Sequence, residues 1–436
     1  MPVMTDFLAE LRWRGMLQEM TEGLEPRLAR GPIAAYVGFD PTGDSLHAGH
    51  LIPIFGLLHL QRAGGRPVAV VGGGTGMVGD PSGRSAERNL LNEPTLASNV
   101  AAIRAQLERF LDFTPGEHAA RMIDNREWLG RYGLIEFLRD IGKHFSLGYM
   151  LSKDSVQLRL GAGISFTEFS YMTLQATDFL HLYRDHGVEM QMGGADQFGN
   201  ITAGLELIRR VLGQGPDGEP RAYGLSFPLL TAPSGKKFGK SEGGQTVFLA
   251  RHRTSPYTFY QYWLNSDDRD VPLYLRTLTL LTREEIEALE AEQAAHPELR
   301  LAQRALAFDL TARVHGAPEA ELQRRVGELA FSGQPLVDPD VLQVLHDDVG
   351  GFTFAPEVPT AFDLALASGL FASRGDLRRS IVQGGVAVDD MRVVDGDALV
   401  GPPIAGRYHV VRHGRRQLSV GFARTQDGDG DGDGRA

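Results

Sequence analysis

Cysteine is absent from the 436-residue chain, which excludes disulfides and any thiolate metal site and suits a reducing compartment. Long apolar runs are absent as well; none approaches the roughly 20 residues that a membrane-spanning helix needs. The opening stretch MPVMTDFLAELRWRGMLQEM carries acidic residues and reads as an amphipathic helix, without the basic start and apolar middle of a signal peptide. A cytoplasmic protein with no membrane partner is therefore expected. Net positive charge is missing too: the formal charge is −11 at pH 7, which at first speaks against a nucleic-acid partner. That deficit is uneven. Residues 360–424 hold nine arginines against six aspartates, a net charge of +3. The last twelve residues, TQDGDGDGDGRA, have the low-complexity composition of a disordered acidic tail.

What is present is enough chain for two or three buried cores, with 42% hydrophobic residues. In the first half, strand and helix patterns alternate. IAAYVGF, RPVAVVGG, ARMID, VEMQMGG and SFPLLT read as strands. HAGHLIPIFGLLHLQRA, ASNVAAIRAQLERFLDF, YGLIEFLRDIGKHF, SFTEFSYMTLQATDFLHLYRDHG and NITAGLELIRRVLG read as the helices between them. This predicts an α/β fold with a doubly wound parallel, Rossmann-like sheet, which binds ligands beyond the carboxyl ends of its strands. The expected boundaries are a Rossmann-like domain at 1–253, an α-helical domain at 254–332, a Pro/Gly/Asp-rich linker at 333–359, a small α+β domain at 360–424 and the tail at 425–436.

Two elements carry chemistry. The first, DPTGDSLHAGH, puts His47 and His50 three residues apart at the first turn of a helix that follows a strand. Helix N-termini present free N–H groups and a positive partial charge, which suit phosphate. Gly49 removes a Cβ where a flat ring could lie on the backbone. The same four letters would also serve as a helix cap with a loosened turn. The second element, SGKKFGKSEGG, packs lysines and glycines into a loop that could fold over a triphosphate and offset its developing charge. Alone it reads equally as a solvated hairpin tip. A third feature is a helix face: Tyr171, Gln175 and Asp178 fall at i, i+4 and i+7, so a phenol, an amide and a carboxylate share one side.

Together, an HxGH turn after the first strand and a KFGKS loop after the last resemble a class I aminoacyl-tRNA synthetase. YVGFDPTGDSLHAGHL, GTGMVGDPSGRSAERNLL, FTEFSYMTLQATDFL, MGGADQFGNITAGLELIRR and KKFGKSE narrow this to the bacterial-type tyrosyl-tRNA synthetase family. SRGDLRRSIVQGGVAVDDMRV resembles the S4 RNA-binding domain that ends those enzymes. The resemblance covers nearly everything except the tail.

It implies roles residue by residue. The matches to Tyr36 and Asp178 hold the phenol hydroxyl of the substrate L-tyrosine, and those to Asp80, Tyr171 and Gln175 hold its ammonium; Gln191 joins that pocket. Gly194, Asp196 and Gln197 match residues around the adenylate ribose and the substrate carboxylate. Gly38, Asp40, Thr42 and Gly49 match residues near ATP, and Arg84 and Arg88 match basic groups near pyrophosphate. His47, His50, Lys237 and Lys240, with Ser241, are expected to stabilise charge on the phosphates. Arg374, Arg378, Arg379, Arg415 and Arg416 are expected to meet tRNA(Tyr). Magnesium is expected to travel with ATP, since no dedicated carboxylate cage is visible, and family members are homodimers. Four positions depart from the family pattern: Ala48 for isoleucine, Arg84 for lysine, Thr177 for tyrosine and Phe198 for tryptophan. Two rival readings stand beside this one. A tryptophanyl enzyme of the same architecture fits Asp178 with Tyr36 poorly, since an indole presents no hydroxyl. An RNA-binding protein on an inactive scaffold would not need both histidines and both lysines.

Overall fold

The computed structural model describes residues 6–80, 91–153, 156–157, 160–161, 163–230, 233–235, 238–240, 244–330, 332–355, 359–414 and 417–424. Arg84, Arg88, Lys237, Ser241, Arg415, Arg416 and the acidic tail lie outside them. The chain divides into two units. The first holds the residues up to Thr254 together with Tyr262–Val314; the second holds Ser255–Gln261 and the residues from His315 onward.

The first unit is built on a six-stranded sheet in the order β1-β6-β5-β2-β3-β4. Its strands are β1 (Glu19–Met20), β2 (Ala34–Phe39), β3 (Arg66–Val71), β4 (Arg121–Asp124), β5 (Val188–Gly194) and β6 (Tyr223–Phe227). β2 through β6 run parallel, and the short β1 closes one edge antiparallel to β6. The chain winds one way from β2 through β3 to β4, then returns to place β5 on the other side of β2. The switch point between β2 and β5 is where such sheets open a crevice. HAGH follows β2, and GGADQ spans the end of β5 and the turn after it.

β6 starts earlier than the SFPLLT pattern implied. Pro228 lacks the N–H that a ladder position needs, so the strand ends at Phe227 and takes in Tyr223 and Gly224 instead. The alternation of side chains along a strand decides what meets the pocket helix. Ala34 and Tyr36 of β2 and Val68 and Val70 of β3 share an apolar cluster with Met172, Ala176 and Phe179. Those last three belong to the helix Phe166–His186, which Ser165 caps at its start and Gly187, at φ 63°, ends in a left-handed turn. The helix thus lies on the sheet face that carries Tyr36. Beyond the sheet, the first unit continues in the helices Val271–Leu278, Arg283–Ala295 and Leu301–His315, the last ending at the unit's boundary.

The second unit has a sheet in the order β7-β11-β10-β8-β9, from β7 (Gly351–Phe354), β8 (Val386–Val388), β9 (Met391–Arg392), β10 (Tyr408–His413) and β11 (Gln417–Ala423). Neighbouring residues of β10 face opposite ways. Val411 packs with Leu364, Ala365 and Leu377 of the helices Ala361–Ala367 and Arg374–Val382. Val410 packs with Val341, Leu342 and Leu345 of the helix Pro339–Asp348.

That last helix corrects the sequence reading of 333–359 as a linker. Its proline sits in the first turn, where no N–H is needed, and Asp338 caps Asp340 and Val341. The residues that looked like breakers are a helix start. β7 then pairs in parallel with β11, so this fold begins before residue 360. The expected helical domain at 254–332 is also divided otherwise, since Tyr262–Val314 belong with the first unit.

Candidate active site

The HAGH turn is held by its own histidines. Ala48–His50 form one tight turn before the helix Leu51–Arg62. The Gly49 N–H donates to His47 Nδ1 at 3.1 Å, and the His47 N–H donates to His50 Nδ1 at 3.1 Å. A backbone N–H can only donate, so each Nδ1 carries a lone pair and the proton of each neutral ring sits on Nε2. Both rings therefore offer an Nε2–H donor, and they lie 4.0 Å apart centre to centre. The glycine has a local reason. A Cβ at Gly49 would stand 2.9 Å from His47 Cε1, so the ring it makes room for is the neighbouring imidazole.

The two signature elements, far apart in sequence, meet through one extended segment. Ala48 N–H donates to Val247 O at 2.9 Å, Leu249 N–H to Leu46 O at 2.8 Å, and Val247 N–H to Gly239 O at 3.0 Å. Gly239, buried at φ 74°, lies against Ala48 and the Gly49 nitrogen. The Lys240 ammonium donates to Thr246 Oγ1. The described part of the lysine loop thus borders the histidine turn.

A buried polar cluster lies between the sheet and the helix Phe166–His186. Tyr36 is 1% exposed, and its hydroxyl has no hydrogen-bond partner among the described residues. Burial pushes this phenol well above its usual range, and Asp178 raises it further. Both oxygens of Asp178 are already used: Oδ1 accepts from Trp128 Nε1 at 2.8 Å and Oδ2 from Asn125 Nδ2 at 2.9 Å. Even so, burial lifts the Asp178 carboxyl to about 8. Neither Asn125 nor Trp128 was singled out in the sequence. The available signal was IDNREW, a polar residue at the carboxyl end of a parallel strand.

The opposite end of the pocket is built around Asp40. Its Oδ1 accepts from Thr75 Oγ1 and its Oδ2 from the Tyr171 hydroxyl, each at 2.8 Å. Burial, then the Asp40 charge, pushes the Tyr171 phenol well above its usual range. A hydroxyl whose proton is held by Asp40 presents lone pairs elsewhere, which suits an ammonium donor. Gly72 lets Asp40 in, since a Cβ there would stand 2.2 Å from Oδ1. Asp80 is buried and accepts from Gln197 Nε2 at 2.7 Å; Gln197 Oε1 accepts from Gln175 at 3.4 Å and from Asn200 at 3.3 Å. Gln191 is buried with its Oε1 unpartnered among the described residues.

Gly38 is the exposed position of an otherwise buried β2, with open space where a Cβ would be, and Thr42 and Asp196 are exposed. Gly194 precedes Asp196 so closely that a Cβ would meet its carboxylate. Thr177, one of the departures, turns its hydroxyl back to Thr173 O at 2.7 Å within the helix. Among the described residues no group of three or more acidic or histidine side chains could hold a metal ion.

This geometry has known relatives. A sequence model of the family described as tRNA synthetases class I (W and Y) matches residues 28–329. The chain belongs to the class I tRNA synthetases. A tyrosine–tRNA ligase from Anaeromyxobacter dehalogenans is 50% identical to this synthetase over 424 residues, covering 96% of this chain and 99% of that one. One from Geobacillus stearothermophilus is 46% identical over 418 residues, covering 94% and 98%. Among solved structures, a C-terminally truncated mitochondrial tyrosyl-tRNA synthetase from Coccidioides posadasii matches with a TM-score of 0.65 at 31% identity, covering 73% of this chain and 91% of that one. The synthetase is of the bacterial tyrosyl type.

Proposed function

We propose that the synthetase is a tyrosine–tRNA ligase: it activates L-tyrosine with ATP and transfers it to the 3′ end of tRNA(Tyr). The observation that carries this reading is the buried Tyr36 hydroxyl, which has no hydrogen-bond partner among the described residues and feels the charge of Asp178. A phenol hydroxyl entering there gives Tyr36 its missing partner and can donate to Asp178. A phenylalanine ring would leave the Tyr36 hydroxyl unanswered, at a cost of about 1–3 kcal/mol. At the other end, Tyr171, Gln175 and Asp80 receive the ammonium, and Gln191 and Gln197 border the carboxylate.

In the first step the tyrosine carboxylate oxygen bonds to the α-phosphorus of ATP, and the bond to the β-phosphate oxygen breaks, releasing pyrophosphate. In the second, a hydroxyl of the terminal tRNA ribose attacks the tyrosyl carbonyl; AMP leaves and the hydroxyl proton passes to solvent. No side chain need act as nucleophile. The protein aligns the reactants and stabilises charge. The Nε2–H groups of His47 and His50 and the ammonium of Lys240 would serve the phosphates, with Lys237, Ser241, Arg84 and Arg88 assigned there by sequence. Gly38 and Gly194 leave room for the nucleotide, and Asp40 acts through Tyr171. Magnesium would enter bound to the ATP phosphates.

Three further assignments belong to this reading. The outer face of the helix Arg374–Val382 exposes Arg374, Arg378 and Arg379, which supports an S4-like tRNA-binding role for the C-terminal unit. Leu134, Ile135, Leu147 and Phe166 are all more than two-thirds exposed, which supports a covered face and a homodimer. A cytoplasmic location goes with a chain in which no helix of the described residues is long and apolar enough to cross a membrane. Aminoacylation of unfractionated bacterial tRNA, run separately with tyrosine, phenylalanine and tryptophan, tests the reading. Ester formation with tyrosine alone is expected; charging with tryptophan instead would replace it with the tryptophanyl reading.

A further inference from the structure

The lysine loop is fixed to the rest of the first unit at two points that the reaction itself does not require. At its start, Ser234 N–H donates to Asp270 Oδ1 at 2.7 Å and Ser234 Oγ–H donates to Asp270 Oδ2 at 2.6 Å. Asp270 is only 2% exposed and occupies the residue before the helix Val271–Leu278. An aspartate there normally caps its own helix. This one makes no such bond, and both its oxygens face the loop. Five residues later Gly239 N–H donates to the Tyr262 hydroxyl at 3.0 Å. The ring of Phe238 packs 5.5 Å from Tyr274 and 6.2 Å from Trp263, inside a group in which Tyr262 and Trp263 also meet edge to face. Gly239 in turn lies against the histidine turn.

In chain order Lys236 and Lys237 fall between these two anchors, and Lys240 follows directly. We infer that Asp270 and Tyr262 are positioning residues for amino-acid activation: from outside the substrate pocket Asp270 holds Ser234, and Tyr262 holds Gly239, beside Lys240, against the histidine turn. A lysine that must meet the pyrophosphate as charge develops gains from having its backbone placed in advance, because little ordering is left for the reaction step. Neither residue belongs to the tyrosine pocket, so its loss would slow the chemical step without weakening amino-acid binding. This inference rests on the tyrosine–tRNA ligase reading above.

The test is ATP–pyrophosphate exchange with tyrosine, together with the dissociation constant for tyrosine alone, measured on the full-length wild type, Tyr262→Phe, Ser234→Ala, Asp270→Ala and the double variant Ser234→Ala/Asp270→Ala. Tyr262→Phe keeps the ring and its packing and removes only the bond to Gly239. It should lower kcat about three- to tenfold, the range of one net hydrogen bond. Asp270→Ala should lower kcat further, with the tyrosine dissociation constant within twofold of wild type. The double variant should lose little beyond Asp270→Ala, because both changes break the same link. Wild-type kcat in both Tyr262→Phe and Ser234→Ala would overturn the inference even if Asp270→Ala failed to fold, as would loss of tyrosine affinity in step with kcat. If the wild type itself exchanges pyrophosphate with tryptophan and not tyrosine, it is the ligase reading that fails, separately from the anchors.

Discussion

Asn125 Nδ2 donates to Asp178 Oδ2 and to Thr75 Oγ1, at 2.9 Å each, and so joins the two ends of the pocket. From Thr75 the chain of bonds runs to Asp40 and on to Tyr171. The amide oxygen of Asn125 accepts from the Gly74 N–H at 2.7 Å, which ties the same residue to the loop after β3. The carboxyl group that would read the phenol and the phenol that would receive the ammonium are therefore held in one buried network. Removing a member should disturb both ends.

Asn125→Ala should lower kcat/KM for tyrosine activation by about ten- to a hundredfold, the effect of leaving buried polar groups unpaired. Trp128→Phe keeps the ring and removes one donor from Asp178, and should act in the same direction more weakly. In both variants the tyrosine-to-phenylalanine ratio should narrow. Kinetics of pyrophosphate exchange with each amino acid check this. An unchanged ratio in Asn125→Ala would mean that Asp178 does not need this support.

Asp178 gives a signed pH dependence. Its carboxyl is raised to about 8 in the folded protein, against about 4 in an unfolded chain. Between those values the folded state holds a proton that the unfolded state does not. The slope of unfolding free energy with pH is then negative for this group. Its contribution is full below about pH 4 and lost as pH rises to about 8. Asp178→Asn cannot titrate. The stability of the wild type minus that of Asp178→Asn, from urea unfolding, should therefore fall as pH rises from 5 to 8. A difference that rises or stays flat would contradict the burial-driven shift.

Gly49→Ala places a Cβ 2.9 Å from the His47 ring and should push that imidazole out of its hydrogen bond with Gly49. Activation should slow by about tenfold to a hundredfold, since misplacing a group by an ångström can cost up to about a hundredfold. Tyrosine binding, measured at equilibrium without ATP, should be unaltered.

Truncation behaviour follows from the helix Pro339–Asp348. A chain cut near residue 356 keeps Val341, Leu342 and Leu345 and loses Tyr408, Val410, Leu418 and Val420, which they pack against. It should aggregate, because a bare apolar face of that kind invites association. A chain cut near residue 316 avoids this and should keep tyrosine activation while losing tRNA charging. Size-exclusion chromatography and the two assays distinguish the cases.

The parts that sequence alone revealed are those whose chemistry is written in contiguous letters. HAGH opens a helix as its letters suggest, and the strand–helix alternation gives the doubly wound sheet. Asp178 and Tyr171 could be paired because a helix brings i and i+7 to one face. Asn125 and Trp128 could not, since their bonds to Asp178 span 53 and 50 residues and arise only when β4 and the helix Phe166–His186 pack. Asp270 was hidden for a similar reason: it reads as an ordinary helix cap. Pro339 and the glycines at 350–351 read as a connection, because residues that break a helix in its middle are the same ones that begin and end it.

The most direct test is ATP–pyrophosphate exchange by the full-length wild-type protein with tyrosine, phenylalanine and tryptophan at matched concentrations. Tyrosine should support exchange, with phenylalanine and tryptophan slower by at least a hundredfold in kcat/KM. Phenylalanine within tenfold of tyrosine, or tryptophan as the preferred substrate, would contradict the assignment of Tyr36 and Asp178 to a phenol hydroxyl.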